Sequence, residues 1–315
     1  MKFIAKGLLV IVASFSVLMA GFVALSWAPD VPVERLKAKW ASEPSTFISV
    51  AGVSVHVRDQ GPKEAPVLVL LHGTSASLHT WEGWVKALPH YRVVSLDLPG
   101  FGLTEAFKDD DFTLANYSRF LAKVFEALNI DTARIAGNSF GGQLAWQFAV
   151  DYPDKVTALV LVDASGYPRQ STSVPLGFKL AGIPALRPLM ANILPRSLIE
   201  SSVRNVYGDP NKVTPELIDR YYDLALREGN RAALRKRFAQ YDQGVDPSKI
   251  QTIKTPTLIL WGGKDGLIHP SNALTFHQDI EGSELKIFDA LGHVPQEEDP
   301  EATVEVVKTF LAKVD

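Results

Sequence analysis

The 315 residues contain no cysteine. That excludes disulfides, a cysteine nucleophile and any thiolate metal site. It leaves the compartment open, because a large domain folds without disulfides. Net charge is also scarce: 32 Lys and Arg stand against 35 Asp and Glu, a balance of −3. A nucleic-acid partner is therefore not expected. There is no internal repeat and no low-complexity tract. No His-Glu-x-x-His pattern or other metal-ligand spacing occurs, and the lone Gly100-x-Gly102 lacks the third glycine and the ribose-binding acid of a dinucleotide fingerprint. No cofactor and no metal are expected. What remains is 46% hydrophobic and 21% charged. That is ordinary globular composition, enough for one large α/β domain with an insertion, or for two domains.

One long apolar run is present. Lys2 and Lys6 precede an uncharged stretch from Gly7 to Ala28. About 22 residues at a rise of 1.5 Å reach roughly 33 Å, enough for a hydrocarbon core of about 30 Å. The run is longer than a signal-peptide core, and Ala24-Leu25-Ser26 is its best small-x-small cleavage site. Residues 1–28 are read as a transmembrane signal-anchor, with a cleaved signal peptide as the alternative. The two lysines place the N-terminus in the cytoplasm and the rest on the extracytoplasmic, periplasmic side, or secreted if the signal is removed. Residues 29–45, with prolines, charge and Trp40, read as a spacer.

Beyond the spacer, apolar strands alternate with helical patterns. Phe47–Val50 and Val53–Val57 alternate around Ala51-Gly52, a hairpin. Val67–Leu71, Arg92–Leu96, Thr132–Ala136, Val156–Val162, Thr257–Trp261 and Leu285–Phe288 read as strands, most of them apolar throughout, the mark of a parallel sheet covered on both faces. A final helix is predicted from Pro300 to about Leu311. The pattern gives an α/β fold with a mostly parallel sheet flanked by helices. Residues 46–164 and 255–315 form the core, and 165–254, helical and rich in proline at its start, form a cap over the sheet. From Ser171 to Val245 there are 11 basic and 7 acidic residues, so the cap is about +4 and the remainder about −7. Its densest basic run, Arg231-Ala232-Ala233-Leu234-Arg235-Lys236-Arg237, reads as a solvated helix face. The apolar stretch Val174–Leu186 is predicted to line the cap's inner surface as well as to pack it.

The chain is organised around Gly137-Asn138-Ser139-Phe140-Gly141-Gly142. A strand precedes it and a helical pattern follows. A strand that turns into a helix over G-x-S-x-G is a nucleophile elbow. The glycines let strand and helix approach, and the serine sits in a strained turn at a helix N-terminus, where developing negative charge is favoured. A serine hydroxyl needs a general base, and the base needs an orienting acid. In a parallel sheet these belong on loops at the strands' carboxyl ends. Asp265 and His293 follow the last two strands and meet that condition. Asp163, at the end of another strand, is an alternative acid, and His269 an alternative base.

With these residues the chain resembles the α/β-hydrolases, in the cap-bearing group that includes carboxylesterases and the C–C bond hydrolases of aromatic degradation. The likeness rests on His72-Gly73-Thr74, Asp97-Leu98-Pro99-Gly100-Phe101-Gly102, the elbow, Trp261-Gly262-Gly263-Lys264-Asp265 and Gly292-His293-x-Pro295. It covers the chain from about Phe47 onward. It implies Ser139 as nucleophile, His293 as base and Asp265 as its partner. The backbone N–H groups of Thr74 and Phe140 would form the oxyanion hole. His72 would hold the oxyanion loop. His56, His79, His90 and His277 show no chemical partner in the sequence, and His56 reads as a surface or packing residue. Serine at the elbow argues against the dehalogenases and epoxide hydrolases, which carry aspartate there. The expected activity is hydrolysis of carboxylic esters, apolar or lipid-like ones included. C–C bond hydrolysis and a non-catalytic ligand-binding role are the alternatives.

Overall fold

The computed structural model describes residues 2–168, 171–181, 183 and 192–314. A helix α1 (Lys2–Ser26) and a helix α2 (Val33–Trp40) lead into the hairpin β1 (Thr46–Val50) and β2 (Val53–Gln60). Then come β3 (Val67–Leu71), α3 (Glu82–Ala87), β4 (Arg92–Leu96), α4 (Leu114–Ala127), β5 (Ala133–Asn138), α5 (Phe140–Asp151) and β6 (Val156–Val162). The insertion carries α6 (Leu176–Ala181), α7 (Arg196–Val206), α8 (Pro215–Ala225) and α9 (Asn230–Ala239). The chain closes with β7 (Thr257–Gly262), α10 (Ser271–Asp279), β8 (Glu284–Phe288), α11 (Pro295–Glu298) and α12 (Pro300–Val314).

The eight strands form one sheet in the order β1-β2-β4-β3-β5-β6-β7-β8, antiparallel at β1-β2 and β2-β4 and parallel beyond. Side chains alternate between its faces with the period of two expected of strands. Leu68 and Leu70 pack with Trp81, Trp84, Val307 and Phe310 on one face. Val69 and Leu71 pack with Phe140, Leu144 and Phe148 on the other. Both faces are covered, which is why the central strands are apolar throughout.

Two expectations change, and a third falls partly outside the described residues. The predicted spacer is not a free linker. Ala28 N–H donates to Asn192 O and Leu194 N–H to Ser26 O, while Val31 N–H donates to Leu226 O and Glu228 N–H to Val31 O. Trp40 Nε1 and Lys39 Nζ both reach Asp223 Oδ2 on α8. This segment adds an edge to the cap because its backbone groups find partners there. The predicted membrane span is not established. The side chains of α1 are described from Ala13 on, Phe15 excepted, and among the described residues no helix is long and apolar enough to cross a membrane. Val17, Leu18 and Leu25 of α1 are nonetheless exposed. Of the stretch Val174–Leu186, Gly182 and residues 184–186 lie outside the described residues, as does Arg187.

Packing is very close at the start of α5. A Cβ on Gly141 would fall onto the Leu71 carbonyl, whereas one on Gly52 would meet nothing. Gly141→Ala should destabilise the fold by about 3 kcal/mol or more, against about 1 kcal/mol for Gly52→Ala from its positive φ alone. Thermal unfolding of the two variants against wild type measures the difference.

Candidate active site

Ser139 sits between β5 and α5 with φ 55° and ψ −114°, a conformation that costs a residue with a side chain of order 1–3 kcal/mol. The turn is held from several sides. Ser139 N–H donates to Val162 O, and Ser165 N–H donates to Ser139 O. Asn138 Nδ2 donates to Val162 O at 3.2 Å and to His293 O at 2.9 Å, which joins the elbow to the histidine loop. Gly73 lies so close to Ser139 that a Cβ there would stand 3.1 Å from the serine Cβ.

The structure brings the three side chains of the predicted triad to one place. Asp265 and His293 are buried, and His293 Nδ1 donates to Asp265 Oδ2 at 2.6 Å. That bond leaves Nε2 as the unprotonated nitrogen of the neutral ring. Asp265 Oδ1 accepts from the N–H groups of Leu267 and Ile268 at 2.8 and 2.9 Å, so both carboxylate oxygens are engaged. Ser139 and His293 line the same cavity, together with Gly73 and Thr74 of the predicted oxyanion loop. Phe140 begins α5, where the first N–H groups have no intrahelical acceptor. His269 is exposed and bonds Ser271 instead.

Asp163 stands beside this pair. Its carboxylate, that of Asp265 and an imidazole nitrogen of His293 lie within 4.8 Å of one another. Asp163 Oδ1 accepts from Gly262 N–H at 3.0 Å. Burial and the charge of Asp265 push its pKa well above the carboxylate range. Ionised, its Oδ2 would have no donor; protonated, it becomes the donor and Asp265 the acceptor. A cation held here would require Asp163 ionised and the bond from His293 Nδ1 to Asp265 Oδ2 broken. The cluster fits a shared proton better than a metal, and the acid next to His293 is Asp265.

Other groups brace the site, and apart from His72 they were not legible as such. Asp97 is fully buried and accepts from His56 Nδ1, Leu78 N–H and Leu103 N–H, each at 2.7 Å. His56 is therefore a buried partner, not a surface residue. His72 donates through Nδ1 to Gly73 O and accepts at Nε2 from Leu98 N–H, and burial lowers its pKa, so it is a neutral strut of the oxyanion loop. His79 is buried between Ser77 and Trp40 O, and His277 bonds Ser283. Glu298 accepts from Gly208, Asp209 and Gly292 N–H, each at 2.8 Å, which ties the cap to the loop of His293. The basic run on α9 is not a solvated face. Arg231 and Arg237 are buried, Lys236 pairs with Asp110, and the guanidinium of Arg237 lies 3.5 Å over the Phe140 ring.

The cavity above Ser139 is lined by α6, α7 and α9 of the cap and by Leu267, Ile268 and Val294 of the body. Counted out to its open mouth, it encloses about 1320 Å³. Residues 66–300 match the family model of the alpha/beta hydrolase fold. The chain belongs to that family. The 2-hydroxy-6-oxo-2,4-heptadienoate hydrolase of Pseudomonas putida is 30% identical over 285 residues, 87% of this chain and 98% of that protein. A meta-cleavage product hydrolase from Pseudomonas fluorescens is 25% identical, with a TM-score of 0.73 over 86% of this chain and 98% of that one. The crystal structure of a membrane phospholipase A described as a bacterial virulence factor is 23% identical, with a TM-score of 0.75 over 100% of this chain and 99% of that one, a likeness of fold.

Two outcomes separate the carboxyl groups. Asp265→Asn should lower kcat by about 10⁴, because the imidazole loses its orienting acceptor, and Asp163→Asn should cost far less; steady-state kinetics compares them. Stability gives the second. With its native pKa above the unfolded value near 3.8, Asp163 holds a proton that the unfolded chain releases. Stability from this group is full below about pH 3.8 and falls as pH rises from there toward the native pKa. Asp163→Asn should flatten that fall by up to about 1.4 kcal/mol per pH unit, read from denaturant unfolding between pH 4 and 7.

Proposed function

We propose that this protein is a serine hydrolase that cleaves carboxylic esters with apolar acyl chains, lipid esters included. What carries the reading is the position of Ser139 with the His293–Asp265 pair at one wall of a mostly apolar cavity under the cap. Ser139 Oγ attacks the carbonyl as His293 Nε2 takes its proton. Asp265 stabilises the imidazolium that results. The N–H groups of Thr74 and Phe140 receive the oxyanion. His293 then protonates the leaving alcohol, and water attacks the acyl-enzyme by the same route to release the acid. The cap side of the cavity is lined by apolar side chains such as Phe178, Leu198 and Val203, which suits an acyl chain.

C–C bond hydrolysis by the same three residues is the second reading, favoured by relatives such as the heptadienoate hydrolase. A tether belongs with the first. We infer that α1 holds the domain at a membrane with the hydrolase body on the extracytoplasmic side. Its 25 residues would reach roughly 38 Å as a helix, and Val17, Leu18, Phe22 and Leu25 present apolar side chains outward.

The test is turnover of p-nitrophenyl esters of increasing chain length beside turnover of 2-hydroxy-6-oxo-2,4-heptadienoate. Hydrolysis of medium-chain esters, lost in Ser139→Ala together with fluorophosphonate labelling, is expected. Cleavage of the dienoate alone would overturn the ester reading. Full-length protein should remain in the membrane pellet after carbonate washing, and release into the supernatant would overturn the tether.

A further inference from the structure

The cap turns one face of α9 toward the cavity: Arg231, Leu234, Arg235 and Phe238, the i, i+3, i+4, i+7 stripe of a helix. Among the described residues, no Asp or Glu lines the cavity, while two arginines do. Arg231 is only 9% exposed. Its Nε and Nη2 reach Asp30 Oδ1 at 3.1 and 2.5 Å, and its Nη1 has no partner. Asp30 is itself 44% exposed, so it offsets the buried cation only in part. A charge held out of water is unfavourable, the more so where its pairing is incomplete. An apolar cavity that carries such a cation and no acid is poor at holding a neutral ester alone and well suited to an anionic one.

We propose that the cavity takes amphiphilic esters that carry an anionic group, and that Arg231, with Arg235 one turn on, forms the subsite for that group. The proposal rests on the ester-hydrolase reading. The lining from α6 and α7, including Phe178, Leu198 and Val203, is apolar and suits the acyl chain. The anion therefore belongs to the alcohol half. Asp30 lies in the segment that follows α1, so the docked N-terminal strap positions this guanidinium while its carboxylate competes with the substrate's anion for it.

The test uses three esters with the same octanoyl group, of glycerol, of glycerol 3-phosphate and of glycerate, with the full-length protein. The ratio of kcat/KM for an anionic ester to that for the glycerol ester is the readout, since a brace that merely holds the fold would move all three together. In wild type the ratio should exceed one, and which anion gives the larger ratio separates phosphate from carboxylate. Arg231→Gln should lower it at least tenfold, chiefly through KM. Asp30→Asn, which leaves the guanidinium in place without its competitor, should raise it, and this variant carries the test if Arg231→Gln fails to fold. A wild-type ratio near one, or a ratio that neither variant moves, would overturn the subsite. If no ester is turned over, the ester reading fails by itself. Calorimetric binding of octyl phosphate, weakened in Arg231→Gln, then decides the subsite independently.

Discussion

The site depends on one steric constraint, the near-contact of backbone at the nucleophile turn. Gly137, Gly141 and Gly142 let β5, α5 and the end of β3 come together at distances no Cβ allows. Ser139 is left in a positive-φ turn that it would not adopt alone. The surrounding structure supplies the missing free energy through Val162, Ser165 and Asn138, whose hydrogen bonds close on the turn from β6 and from the histidine loop. The strain and the position share a cause: a side chain forced clear of its own backbone is also one that faces the cavity.

Electrostatics is layered outward from that turn. Asp265 accepts from His293 on one oxygen and from two backbone donors on the other. Asp163 sits close enough to compete and avoids a second negative charge by keeping its proton. Asp97 plays the opposite part at the other side of the sheet. Burial alone would raise its pKa, but the electrostatic pull and hydrogen bond of His56 hold it low, so it stays an acceptor. Its three donors anchor the oxyanion loop and the turn after β4 together.

Much of this was legible in the sequence, and the reason is local. The elbow glycines, the apolar strands and the loop positions of Asp265 and His293 follow from short patterns and from strand order. What was not legible depends on partners far away in the chain. His56 has no visible partner until Asp97 folds back on it, 41 residues on. Glu298 looks like one acid in an acidic stretch until three backbone donors converge on it. The basic run on α9 has the composition of a wet surface, yet Arg237 stacks on Phe140 and Arg231 meets Asp30, 201 residues earlier. Residues 29–45 read as linker because nothing local announces the cap edge that pairs with them. Chain topology, not local propensity, decided each of these.

The clamp at Glu298 has a mechanical meaning. The cap segment at Val206–Asp209 and the loop of Gly292 and His293 are joined by the His293 N–H bond to Val206 O, by the carboxylate of Glu298 and by Tyr207 on Glu297. A cap that swung open on this side would carry the imidazole with it and dismantle the pair with Asp265. This part of the cap and the loop of His293 therefore form one wall, and any opening that keeps the His293–Asp265 pair intact has to occur elsewhere on the cap.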